Sequence, residues 1–184
     1  MIGVDELGPV IPRSFPPAPG WSADGHRSKA PLDYRRGTEK TWVSGALRVG
    51  DGQAITLTAP ARNTAGHQGL LEAIAAANPV GHLYVVGDNL ASHKRPPIEA
   101  WLAGHPRVQQ VFIPKGASWL NLQEAWWRLF RREAFAGQTF VDDTEIAHAT
   151  AVATMQLNAR AKPWVWGRPP PTPRKRCRRF LYRL

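Results

Sequence analysis

Residues 82–89 read HLYVVGDN. The unbroken apolar run over residues 82–86 is the pattern of a central strand covered on both faces. It delivers Asp88 just past its C-terminal end, the edge where α/β sheets place their ligands. Upstream, GLLEAIAAAN predicts a helix capped by Asn63 or Thr64, with Leu70, Leu71 and Ile74 facing a core and Pro79 as the stop. Further upstream, TWVSGALRV (residues 41–49) and QAITLTA (residues 53–59) flank the turn-forming pair Asp51-Gly52, which predicts a hairpin. Downstream, Ser92 to Gly104 predicts a helix with Pro96 and Pro97 near its start, and VQQVFIP (residues 108–114) predicts another strand. Asn121 opens a further helix. The last one starts at Asp142-Asp143 and runs through Ile146, Val152 and Leu157 to about Ala161, where Lys162-Pro163 ends it. With a first strand around Asp5, the order strand, strand, strand, helix, strand, helix, strand, helix reads as an α/β fold.

The flanks read differently. Residues 9–37 are rich in Pro, Gly, Ser and charge and predict a loop or irregular hairpin holding Trp21 and the turn Asp24-Gly25. Residues 167–184 carry three consecutive prolines and RKRCRR, a flexible basic tail following a domain of residues 1–166. Only four residues precede Asp5. The first strand is therefore expected to be clipped, with an upstream part missing and weakened edge pairing around Asp5.

Composition narrows the partner. The chain has 184 residues, enough for one domain with a sizeable core, and its 24 Lys and Arg against 14 Asp and Glu give a formal charge of +10. That balance favours a polyanion, with an anionic membrane surface as the alternative. No apolar run reaches the roughly 18 residues of a membrane span, and the N-terminus lacks a basic-then-apolar signal pattern, so a cytoplasmic protein is expected. The only cysteine, Cys177, excludes an intrachain disulfide and makes a cysteine-ligated zinc site implausible. The six histidines show no paired metal-ligand spacing.

Three acids, Asp5 in IGVDE, Asp88 and Glu124 in SWLNLQEAWW, each stand where a buried element should meet solvent. Carboxylates are hard oxygen ligands suited to Mg²⁺ or Mn²⁺, and in so basic a protein the expected metal-bound substrate is a nucleic-acid phosphodiester. Each acid also has a plainer reading. Asp5 could simply end a strand. Asp88-Asn89 is an ordinary turn opener. Asn121 and Glu124 match a helix capping box, and Glu124 could pair with Arg128 opposite an apolar stripe of Leu122, Trp126, Leu129 and Phe130.

Asp5-Glu6, Asp88-Asn89 with His93 five residues on, and Pro114 through Ser118-Trp119-Leu120-Asn121 to Glu124 and Trp126 together resemble the bacterial insertion-sequence branch of the mariner-like DDE transposases. Asp88 and Glu124 are 36 positions apart, near that family's short interval, and the ending Lys162-Pro163-Trp164-Val165-Trp166 is similar too. The resemblance spans about residues 2 to 166. It implies a ribonuclease H-like fold, a central mixed sheet flanked by helices. It also implies two Mg²⁺ or Mn²⁺ ions held by Asp5, Asp88 and Glu124, between which water and then a DNA 3′-hydroxyl attacks a phosphodiester.

Glu6, Asn89, His93 and Asn121 become supporting residues on this reading. His93 would orient substrate or a carboxylate, although a helix-surface histidine is the plain alternative. Arg128, Arg131 and Arg132 would lie near the DNA path, and Arg174, Lys175, Arg176, Arg178 and Arg179 would bind phosphates without sequence preference. Trp119, Trp126 and Trp127 read as core packing. The expected partners are transposon-end and target DNA, with a homodimer or a helix-turn-helix transposase part as protein partner, since that module is not seen here. A noncatalytic DNA-binding remnant, a regulatory partner of an intact transposase, and a ribonuclease H-like nuclease acting on RNA or hybrids remain alternatives.

Overall fold

The computed structural model describes residues 1–12, 20–21, 27–28, 39–114, 117 and 120–165. Most of the loop expected over residues 9–37, together with Ser118, Trp119, Trp166 and the tail 167–184, lies outside them. Within the loop, β2 (Gly20–Trp21) and β3 (Arg27–Ser28) form a small antiparallel ribbon.

Five strands form the main sheet: β1 (Ile2–Val10), β4 (Thr41–Arg48), β5 (Ala54–Ala59), β6 (Leu83–Gly87) and β7 (Val108–Phe112), in the order β5-β4-β1-β6-β7. The sheet is mixed. β4 runs antiparallel to both β1 and β5, whereas β1, β6 and β7 are mutually parallel. The antiparallel half follows from the hairpin at Asp51-Gly52, where Gly52 takes φ +78° and the Arg48 amide donates to the Gln53 carbonyl at 2.8 Å. The parallel half needs helical crossovers, supplied by α1 (Thr64–Ala77) between β5 and β6 and by α2 (Pro96–Ala103) between β6 and β7.

The alternation along β1 assigns its two faces. Ile2 and Val4 pack with Leu70, Leu71, Ile74, Val85 and Ile98 beneath α1 and α2. Leu7, one face over, joins Val43, Leu47, Trp126, Trp127 and Phe130 beneath α3 (Leu122–Ala134) and α4 (Asp143–Ala159). With a side-chain period of two, Asp5 therefore belongs to the α3 face and Glu6 to the α1 face. Asn63 caps α1 by accepting from the Gly66 amide, and Asp142 caps α4 by accepting from Glu145.

Several expectations need correction. Asp5 is not at a strand end: β1 has nine residues and Asp5 pairs with Gly45 of β4, while the pairing with β6 is confined to Ile2 and Gly3. The helix expected over Ser92 to Gly104 is two pieces, a 3₁₀ turn at Ala91–Lys94 and then α2, because the Pro96-Pro97 pair supplies no amide hydrogens to continue the earlier turn. β6 is not covered on both faces. Leu83 and Val85 are buried but Tyr84 is 48% exposed, since α3 and α4 pack over β1, β4 and β5 instead. On α3 the buried stripe is Gln123, Trp126, Trp127, Phe130 and Ala134, leaving Leu129 exposed.

α3 approaches the sheet most closely at Gly45. A Cβ there would lie 2.5 Å from Trp127 Cη2 and 2.6 Å from Gln123 Nε2, both on fully buried side chains. Gly45→Ala is expected to cost on the order of 1–3 kcal/mol through overpacking, read as a lower thermal midpoint. An unchanged midpoint would show that α3 can slide outward.

Candidate active site

Strand β1 carries Asp5 beyond the point where β6 stops pairing with it, so the residues following β6 emerge beside it. Gly87, the last residue of β6, packs directly on Val4, and a Cβ there would stand 2.8 Å from Val4 Cγ2. Across the antiparallel pair, Asp5 faces Gly45. The missing side chain opens the space into which Trp127 reaches, and its indole Nε1 donates to Asp5 Oδ2 at 3.1 Å. Burial pushes the Asp5 carboxyl up to about 7, with the negative charge of Glu124 the next largest cause and those of Glu6 and Asp88 adding to it, against a backbone hydrogen bond from Glu6. Asp5, Glu124 and Asp88 thus share one electrostatic site.

α3 is tied to β1 by its own cap. Asn121 is buried, its Oδ1 accepts from the Gln123 amide at 3.2 Å and its Nδ2 donates to the Val4 carbonyl at 3.0 Å. Asn121 is therefore both a helix cap and the bolt that sets the first turn, with Glu124, next to Asp5. Glu124 itself is exposed. Among the described residues its carboxylate is in neither the capping-box bond nor an ion pair with Arg128, although Asn121 caps the helix as that box requires.

Asp88 keeps its turn role, since its Oδ1 accepts from the Leu90 amide at 3.3 Å. Oδ2 has no hydrogen bond among the described residues. Asn89 beside it is exposed. His93 is no surface histidine: it is 2% exposed, its Nε2 lies 2.9 Å from Glu6 Oε1 and its Nδ1 3.2 Å from Asp88 Oδ1. Burial pushes the His93 ring toward the neutral form, but the hydrogen bond and charge of Glu6, with the charge of Asp88, outweigh it and raise its pKa.

His67 was not singled out by its spacing to other histidines, yet it stacks on His93 with ring centroids 3.8 Å apart. Glu6, His67 and His93 place ligand atoms within 4.8 Å of one another, a grouping capable of holding a metal ion. The sequence spacing of the histidines gave no sign of this grouping. Burial lowers the His67 pKa to about 3, helped by the His93 charge, so His67 is neutral. A signal for it exists in the chain: His67, Leu70, Leu71 and Ile74 form one i, i+3, i+4, i+7 face, which puts a histidine in the core. Trp127 is core packing as expected, and also a hydrogen-bond donor to Asp5, which hydrophobic periodicity could not reveal.

Arg128, Arg131 and Arg132 are exposed on the outer side of α3. The basic residues 174–179 lie outside the described residues. The donor set of Asp5, Asp88 and Glu124 suits a hard divalent cation, and the Asp5 carboxyl is held up near 7 first by burial and then by the charges of neighbouring carboxylates, a repulsion that a cation would relieve.

A family model described as DDE superfamily endonuclease matches residues 4–147. No curated protein matches the chain. Among solved structures, the chain is similar to the catalytic core domain of BIV integrase, with a TM-score of 0.51 and 18% identity over 65% of this chain and 76% of that one. That likeness shows the fold, an α/β ribonuclease H-like mixed sheet with helices on it. Since the family model covers the sheet, the three acids and the start of α4, the chain belongs to the DDE superfamily endonucleases.

Proposed function

We propose that this chain is the catalytic core of a transposase of the mariner-like, bacterial insertion-sequence type, which cuts DNA and joins its 3′ end to a target. The observation that carries the reading is the DDE superfamily endonuclease match over residues 4–147, which spans Asp5, Asp88 and Glu124, with Asp5 hydrogen-bonded to Trp127 on the helix that bears Glu124. Asp5, Asp88 and Glu124 are the residues that would hold two Mg²⁺ or Mn²⁺ ions. When bound, the ions would supply a sharpened oxygen nucleophile and neutralise charge on the leaving oxygen. The chain's own groups do the positioning. Trp127 holds Asp5 Oδ2, the turn at Asp88 holds its Oδ1, and the Asn121 cap anchors to β1 the first turn of α3 that carries Glu124. No side chain needs to form a covalent bond to DNA.

Residues 1–166 form the catalytic unit on this reading, and residues 167–184 are a basic arm. DNA is the substrate, and the protein works where DNA is, in the cytoplasm. Arg128, Arg131 and Arg132 contact phosphates beside Glu124, and selectivity for transposon ends comes from a helix-turn-helix part or a paired copy. No described helix is long and apolar enough to cross a membrane.

Incubation of the purified protein with supercoiled plasmid should give Mg²⁺- or Mn²⁺-dependent nicks, suppressed by chelation, and 3′-ended fragments should be joined to target DNA. Cleavage that survives complete chelation would contradict the metal assignment. Metal-dependent cutting of RNA–DNA hybrids in preference to duplex DNA would favour a ribonuclease instead. Binding to nonspecific duplex DNA should fall with salt with a log-log slope of roughly −5, for about six phosphate contacts, and become shallower without residues 167–184. A slope unaffected by that deletion would show that the tail does not touch DNA.

A further inference from the structure

Asp5 and Glu6 are neighbours in β1 but project to opposite faces of the sheet, and the proposed metal ligands account only for the first. Glu6 is buried, with its side chain 5% exposed, and it sits among His67 and His93 behind the acids. His93 spans from this pocket to Asp88. Its Nε2 lies 2.9 Å from Glu6 Oε1, while its Nδ1 lies 3.2 Å from Asp88 Oδ1 and 3.5 Å from the Asp88 carbonyl oxygen. Taking the proposed active site as given, we propose that Glu6 is the buried hydrogen-bond partner of a His93 clamp that fixes Asp88 from behind the sheet, and is not itself a metal ligand.

The alternative is a transition-metal site made of Glu6, His67 and His93. The stacking of the two imidazoles argues against it. Rings 3.8 Å apart and 21° from parallel direct their in-plane nitrogen lone pairs side by side rather than onto one point. His67 is also committed elsewhere, since its Nε2 lies 3.0 Å from Gln110 Nε2. With the amide donating, the neutral ring carries its proton on Nδ1, which faces Glu6 Oε1 at 3.9 Å. At that distance the two do not hydrogen-bond, and His67 serves as the flat wall against which the His93 ring is held. β1 and β6 share only two residue pairs, so a bridge from Glu6 on one to Asp88 beyond the other fixes the segments that carry Asp5 and Asp88.

Partners of this kind typically change metal affinity by about ten- to a hundredfold when removed. Mn²⁺ binding to purified protein without DNA, titrated by electron paramagnetic resonance, reads the clamp directly. Glu6→Gln and His93→Asn should each weaken Mn²⁺ binding about tenfold or more. The double variant should be no weaker than the worse single one, and His93→Gln, which keeps one donor, should recover part of the loss. Affinities within about twofold of the parent, or effects that multiply in the double variant, would overturn the clamp. Loss of all binding in Glu6→Gln, equal to that in Asp88→Asn, would make Glu6 a direct ligand.

If the parent itself binds no Mn²⁺, the metal reading of Asp5, Asp88 and Glu124 falls. The clamp is then decided on metal-free protein, where melting shifts of Glu6→Gln and His93→Asn that fail to add support it and additive shifts refute it. Should Glu6→Gln not fold, the corresponding cycle of His93→Asn with Asp88→Asn carries the same decision.

Discussion

Asp88→Asn protein is expected to lose Mg²⁺-dependent strand cleavage by about a thousandfold or more while melting near the parent's midpoint. The amide is a poor ligand for a hard cation, and removing several kcal/mol of transition-state charge stabilisation corresponds to a rate loss of roughly that order. The fold should survive because the turn does not need the charge. An Asn oxygen can accept from the Leu90 amide as Asp88 Oδ1 does at 3.3 Å. Nonspecific DNA binding should also persist, since it depends on basic side chains. Plasmid nicking, a melting curve and a DNA-binding titration on the same preparation check the three parts. Robust metal-dependent nicking by the variant would remove Asp88 from the site. Glu124→Gln supplies the companion result: if Glu124 were only a helix cap, the variant would cut normally.

The second large effect is on stability, and it is opposite in sign to the first. Asp5 titrates near 7 in the folded protein against an ordinary 3.8, so between about pH 4 and pH 7 the folded state keeps a proton that the unfolded chain has released. Metal-free stability from this group is therefore fully present below about pH 4 and lost as pH rises through about 7. Asp5→Asn has no such charge to bury. At pH 8 it should be more stable than the metal-free parent by at most about 4 kcal/mol, and the difference should vanish toward pH 4. For a chain of this size that is a rise of roughly 10 °C in melting midpoint at pH 8. His67 and His93 also titrate differently on folding, which makes the parent-minus-variant difference the informative quantity. Added Mn²⁺ should stabilise the parent at pH 8 and leave the cleavage-dead variant nearly unmoved. A difference that is flat from pH 4 to pH 8 would mean that Asp5 is not squeezed between burial and its neighbouring carboxylates.

The α/β order and the hairpin were legible in the chain because each depends on local chemistry: apolar runs, turn residues and caps act over a few positions. Asp88 after a buried strand and Asn121 at a helix start belong to this kind, as does the Asp142 cap of α4. The break before Pro96 was also within reach, since the missing amides are a local fact, but the Ser92 start obscured it. Periodicity alone misjudged α3. It put Leu129 on the buried stripe, where it is exposed, and it could not show that Gly45 on β4 leaves a slot through which the Trp127 indole reaches Asp5.

What the sequence by itself determined is the set of elements, since those follow from side-chain type and short-range pattern, while the choice of Asp5, Asp88 and Glu124 as candidate ligands rested on the resemblance to the DDE transposases. What only the tertiary structure decided is how those ligands are held. The Trp127 bond to Asp5 joins residues 122 positions apart, and the His93 bond to Glu6 joins residues 87 apart. Such contacts exist because β1 lies in the middle of the sheet, with α3 on one face and α1 on the other, so adjacent residues Asp5 and Glu6 meet unrelated parts of the chain. Burial there also sets the charge states: it moves Asp5 up and His67 down from their ordinary values, which no one-dimensional pattern encodes.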